Sequence, residues 1–364
     1  MGAEKYLQIE KRDNVYVALQ DLPSGTPVRV DGVEIALREK VPAKHKFFTG
    51  DMNKGDDIIM YGVLVGKMRS AVPAGGLMTT ENTEHATRSY AWKQTGFSWH
   101  APDISKFRNR TFNGYPRSDG RVGTANYWLF MPAVFCENRN LDVIREALHN
   151  ELGYAVTEKY KSKTRELVNA YLAGDDISTF PLEIKETTVS MRRIFRNVDG
   201  IKFLNHQGGC GGTRQDAAIL CALLAAYADH PNVAGVTLLS LGCQNMQVSH
   251  FLKDLKTRNP EFDKPLLIFE QQRSESEDPL IVPANTAPIK GMVKVNEQQR
   301  QPFPLSKLTI GVKCGGSDGF SGITANPATG YAADLLVALG GKVLLAVFPE
   351  LNGAEQGLIN RCTE

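Results

Sequence analysis

Residues 201–230 read IKFLNHQGGCGGTRQDAAILCALLAAYADH, and their order decides the class of fold. IKFL has the length and apolar content of a strand, and RQDAAILCALLAAYADH reads as a long apolar helix. The glycines between them let the backbone turn sharply and approach a ligand closely. Outward from this unit the same grammar recurs. NYWLFMPAVF (126–135) precedes the amphipathic LDVIREALHNEL, and VTLLSL (236–241) precedes QVSHFLKDLKTRN. LTIGVK (308–313) precedes a second Gly-rich loop, and GKVLLAVF (341–348) follows ADLLVAL. Strands alternating with helices predict an α/β main domain on a parallel sheet.

The first part of the chain is punctuated differently. NVYVAL, PVRV, VEIAL and DIIMYGVLVG are short apolar segments separated by turn-forming stretches such as DLPSGT and NKGD. We read 1–92 as a small β-rich domain, 93–113 as a linker over the surface, and 114–364 as the α/β part.

Bulk properties narrow the function. The 364 residues carry a formal net charge of +2, with 42% hydrophobic and 23% charged residues. This is a chain able to bury a core, without the basic stripe of a nucleic-acid binder. No basic-then-apolar leader opens it and no apolar run nears a membrane span, so a cytoplasmic protein without nucleic-acid or membrane partners is expected. In that compartment six cysteines point to metal, catalysis or packing rather than disulfides.

Four strands run directly, or through a few residues, into a cysteine: Cys136, Cys210, Cys243 and Cys314. Ligands of open parallel sheets bind outside the carboxyl ends of the strands, so thiols repeated there suggest a site. NHQGGCGGTRQD (205–216) adds His206 before a helix N-terminus, whose free N–H groups suit an anion. KCGGSDGFSGITANPA (313–328) supplies Ser317, Asp318, Ser321, Thr324 and Asn326, a set able to hydrogen-bond several hydroxyls. LGCQNMQ adds Gln244 beside Cys243. Cys221, within the apolar helix, reads as a small hydrophobe. Walker, dinucleotide, HExxH and CxxC patterns do not occur.

GYPRSDGRVGTANYW (114–128), NHQGGCGGTRQD, LGCQN and KCGGSDGFSGITANPATG together resemble the altronate/galactarate dehydratase family, over nearly the whole chain. The tail FPELNGAEQ lies nearer its altronate branch. The resemblance implies a SAF-like (β-clip) first domain and a lyase forming a 2-keto-3-deoxy acid from a sugar acid. It marks Arg117, Asp119, His206, Ser317, Asp318, Ser321, Thr324 and Asn326; of these we expect Arg117, Asp119, Ser317, Ser321, Thr324 and Asn326, with Gln244, to contact substrate, and His206 and Asp318 to transfer protons. A ferrous ion, mononuclear or in an iron–sulfur cluster, with manganese as an alternative, would sit on Cys210, Cys243 and Cys314, Cys136 in reserve. A sulfolactate-type sulfo-lyase and a non-catalytic sugar-acid binder are the rival readings, and a homo-oligomer is left open. Two departures stand out. Thr79 and Glu81 occupy places where members carry histidine, and Ala125 occupies that of an arginine. Members also continue beyond the position of Glu364, which implies a shortened chain.

Overall fold

The computed structural model describes residues 5–30, 32–93, 96–155, 159–181, 183, 192–315, 319–346 and 348–363. The chain forms two compact units, one of residues 1–110 with 305–364 and one of residues 111–304.

The second unit is built on four parallel strands, β1 (Tyr127–Pro132), β2 (Gly200–Phe203), β3 (Val233–Ser240) and β4 (Leu266–Glu270), in the order β2-β1-β3-β4. Its helices are α1 (Asn138–Glu151), α2 (Lys159–Ala173), α3 (Arg214–Asp229), α4 (Val248–Arg258) and α5 (Glu277–Val295). Every residue of β3 is buried, as a central parallel strand requires. One face of the sheet packs Trp128, Phe130 and Leu239 against Leu141 and Ile144 of α1 and Ala284 and Met292 of α5. The other packs Leu129, Met131 and Leu238 against Leu224 and Ala225 of α3 and Phe251 and Leu255 of α4. Adjacent residues of β1 thus point into opposite cores, which is the pleat expressed as two layers of helix.

The unit closes on itself. Thr111–Pro116 pairs antiparallel with Gln301–Pro304 and with Val122–Gly123. This pairing explains two differences from the sequence boundaries. A strand begins at Thr111, inside the stretch read as linker, and the chain leaves the unit after Pro304 instead of continuing to its end.

In the first unit, residues 305–364 contribute a βαβ element, with parallel strands Thr309–Val312 and Lys342–Leu345 and the helix Ala325–Ala338 between them. The N-terminal part is a β-rich fold with an internal repeat of about thirty residues that the sequence reading passed over. Asp21 Oδ1 accepts from Ala43 N, and Asp51 Oδ1 accepts from Ala74 N. Leu22 bridges Val41, and Met52 bridges Val72. Each repeat has its own small core, one around Phe47, Leu22 and Val41 and one around Phe48, Ile58 and Met68. Among the described residues no helix is long and apolar enough to cross a membrane.

Candidate active site

The order β2-β1-β3-β4 reverses direction between β1 and β3. The chain leaves β1 for one side of the sheet and returns for the other, so the loops after β1 and β3 diverge and open a crevice at their carboxyl ends. Cys136 follows β1, Cys210 follows β2 and Cys243 follows β3, all exposed.

Backbone hydrogen bonds stitch these loops together. Phe135 N donates to Gly208 O and Asn245 N donates to Gly209 O, both at 2.9 Å. Asn138 Nδ2 donates to His206 O at 2.8 Å. Gly209 sits at φ +97°, and a Cβ there would lie 2.2 Å from Ala133 O. Only glycine lets the loop after β2 press this closely on the end of β1. Thr213 then starts α3, its hydroxyl accepting from Asp216 N while the Asp216 carboxylate accepts from Thr213 N.

Both ring nitrogens of His206 are engaged. One takes Gly208 N–H at 3.1 Å, and Nε2 lies 2.8 Å from Pro132 O. A carbonyl accepts only, so the network assigns the Nε2–H tautomer. In this arrangement the imidazole ties the loop after β2 to the end of β1. Gln244 is 2% exposed, accepts from Gly242 N at 2.6 Å and donates to Ser240 Oγ at 2.7 Å, which shapes the loop after β3.

Arg117 and Asp119 stand at the opposite, amino edge of the sheet. Arg117 donates to Pro231 O at 2.7 Å and to Asn126 Oδ1 at 2.9 Å. Asp119 accepts from Arg121 Nε at 2.7 Å and from Asn259 Nδ2 at 3.2 Å. They lock the starts of β1 and β3, away from the carboxyl edge where the cysteine-bearing loops lie. Lys264 lies in the same cluster, donating to Ala228 O and His230 O, and burial followed by the neighbouring Arg117 pulls its ammonium down to about 7. The unfolded chain therefore binds the extra proton between about pH 7 and pH 10. The penalty is complete below that window and fades as pH rises through it. Urea melts are expected to show Lys264→Met gaining on wild type by up to about 4 kcal/mol at pH 7 relative to pH 10. A pH-independent difference between the two would refute the assignment.

In the first unit Cys314 follows the Thr309–Val312 strand, and its Sγ accepts from Asn326 Nδ2 at 3.7 Å. Thr324 Oγ1 donates to Phe320 O at 2.7 Å, and Ser321 opens a short 3₁₀ turn before the Ala325–Ala338 helix. Ser317 and Asp318 lie outside the described residues.

Among the described residues no three His, Cys, Asp or Glu side chains converge to hold a metal. Cys136, Cys210 and Cys243 share an edge without forming a cluster. No disulfide joins any of the six cysteines, and five of them are exposed. Cys221 is 1% exposed, and burial, then Asp254, push its thiol up to about 12. Native labelling with a neutral maleimide is expected to modify the other five and spare Cys221 until denaturant is added, as mass mapping can show; early labelling of Cys221 would contradict the packing of α3.

Comparison with known proteins places this geometry. Residues 4–86 match the altronate/galactarate dehydratase SAF domain. Residues 114–294 match the second domain of D-galactarate dehydratase/altronate hydrolase, and residues 305–364 match the C-terminal domain of D-galactarate/altronate dehydratase. The chain belongs to the altronate/galactarate dehydratase family. This member of the altronate/galactarate dehydratases is 32% identical over 362 residues to altronate dehydratase of Escherichia coli (strain K12), covering 99% of this chain and 63% of that one. It is 29% identical over 360 residues to altronate dehydratase of Bacillus subtilis (strain 168), covering 98% and 63%. Galactarate dehydratase (L-threo-forming) of E. coli is 27% identical over 357 residues, covering 96% and 60%. The chain thus spans somewhat under two thirds of the length of these relatives.

Several residues at the carboxyl edge were given no role from the sequence. Glu137, beside Cys136, is fully buried. It accepts from Asn140 Nδ2 at 2.8 Å, while its Oε1 has no partner among the described residues. Burial pushes this carboxyl up. Arg214, His250 and Lys253 line a cavity with Cys243. Arg214 was within the quoted motif, and a cation at the start of a helix, where dipole stabilisation is absent, was the signal available.

Proposed function

We propose that this chain is a hydro-lyase that converts D-altronate to 2-keto-3-deoxy-D-gluconate and water. The observation that carries the reading is the set of three cysteine-bearing loops joined over the β1/β3 switch point, in a chain of this family. A 2,3-dihydroxy acid loses the proton on C2 to a base, and the C3 hydroxyl leaves as water after accepting a proton. The resulting enol takes a proton at C3 to become the 2-keto acid. Donors fixed before the reaction stabilise the charge that develops on the carboxylate.

A panel of D-altronate, galactarate and sulfolactate tests this, with formation of the keto acid and release of sulfite as readouts. The expected result is keto acid from altronate, slower turnover of galactarate and no sulfite. Sulfite release without keto-acid formation from either sugar acid would overturn the proposal in favour of C–S elimination.

A further inference from the structure

The cavity on the α3/α4 side of the carboxyl edge has a volume of about 540 Å³. Six side chains give it its chemistry: Arg214, Cys243, Asn245, Gln247, His250 and Lys253. Arg214 is the first residue of α3, His250 and Lys253 are three apart on α4, and the other three come from the loop after β3 and the start of α4. Residues three apart lie on one helix face, so α4 presents two basic groups to the same space.

Arg214 and Lys253 have no hydrogen-bond or ion-pair partner among the described residues. The one carboxylate in the lining, Asp254, lies beside the buried Cys221 thiol, which its charge helps to keep protonated. Arg214 and Lys253 against the single carboxylate of Asp254 leave the lining with an excess of positive charge. Gln247 is also committed, donating to Gln244 O. The amide of Asn245 is exposed beside the cations.

We propose that this cavity seats the carboxylate of the substrate, held between Arg214 and Lys253, with Asn245 and His250 meeting the hydroxyl next to it. A guanidinium pairs with the two carboxylate oxygens through parallel N–H groups, and an ammonium adds a point charge from the side. The uncommitted cations fit an open-chain acid better than a neutral sugar, and the cavity is continuous with the loop that carries Cys243. The assignment rests on the sugar-acid reading above and names the subsite behind it.

The test uses Cys243 as a reporter, because its exposed thiol shares the cavity with both cations. Iodoacetamide, a neutral alkylating agent, is applied to the whole chain with increasing galactarate, and alkylation at Cys243 is read by mass spectrometry. Galactarate is expected to protect the thiol, and galactitol, its matched polyol without carboxylates, is not. Arg214→Met and Lys253→Met should each raise the half-protecting concentration of galactarate about tenfold, and Lys253→Arg should recover much of the loss. Equal protection by galactitol, or an unchanged half-protecting concentration in both Met variants, would overturn the proposal. Protection without keto-acid formation would support the subsite while sinking the dehydration; keto-acid formation without protection would do the reverse.

Discussion

Gly209→Ala is expected to lower turnover of D-altronate by about 10²-fold or more while leaving the parallel sheet folded. The added methyl would meet Ala133 O at 2.2 Å and Val134 Cα at 2.7 Å, both backbone, at a φ of +97°. Rigid neighbours cannot yield, so the loop after β2 must lift from the end of β1. Its lift breaks the bonds from Phe135 N to Gly208 O and from Asn245 N to Gly209 O that hold three loops in register. The strain itself costs only about 1–3 kcal/mol, so thermal melting should fall by a few degrees. Gly211→Ala is the control. It shares a positive φ, +68°, but no atom lies within 4 Å of its added Cβ, so most activity should survive. Activity of Gly209→Ala within twofold of wild type would show that the stitched edge is not the site.

The second large effect concerns stability. Trp128→Ala is expected to cost about 3–5 kcal/mol, read from urea unfolding. Trp128 is fully buried on β1, and its Nε1 donates to Thr237 Oγ1 of β3 at 2.9 Å. Truncation leaves both a large void and a buried hydroxyl without its donor. The space around the ring is defined by two glycines, since a Cβ at Gly235 would lie 2.4 Å from the indole and one at Gly291 would lie 2.1 Å from it. Gly291→Ala should therefore destabilise as well, by about 1–3 kcal/mol of overpacking that outweighs the helix propensity gained. A neutral Gly291→Ala would mean that the indole is free to move and that α5 is packed less tightly than described.

The parallel sheet was legible because NYWLFMPAVF and VTLLSL are buried on both faces and read as continuous apolar runs, while IKFL, at the sheet edge with Lys202 exposed, stood out by the glycine-rich turn and helix that follow it. Their exits into Cys136, Cys210 and Cys243 were legible for the same reason. The helix α5 was not. Pro283 and Pro288 interrupt it, and proline normally ends a helix; here Pro288 is itself part of the buried face. The fourth strand, Leu266–Glu270, is only partly buried, and its short LLIFE run did not stand out from the sequence around it.

The site was legible by position more than by role. His206 and Gln244 fell at the right edge, yet their polar atoms are consumed in holding the loops, something only hydrogen-bond partners reveal. Arg117 and Asp119 bond at the other end of the strands. Sequence distance hides this, because residues 117–126 meet residues 229–232 and 259–264 only after the sheet has formed. Arg214 and Lys253 were overlooked for the same reason, since one cavity draws them from two helices.

The most direct measurement of the central claim is NMR of D-altronate incubated with the chain in D₂O. Abstraction of the C2 proton followed by loss of the C3 hydroxyl predicts 2-keto-3-deoxy-D-gluconate carrying one solvent deuterium at C3. No product from altronate, or a product without deuterium at C3, would contradict a proton-transfer dehydration at this edge of the sheet.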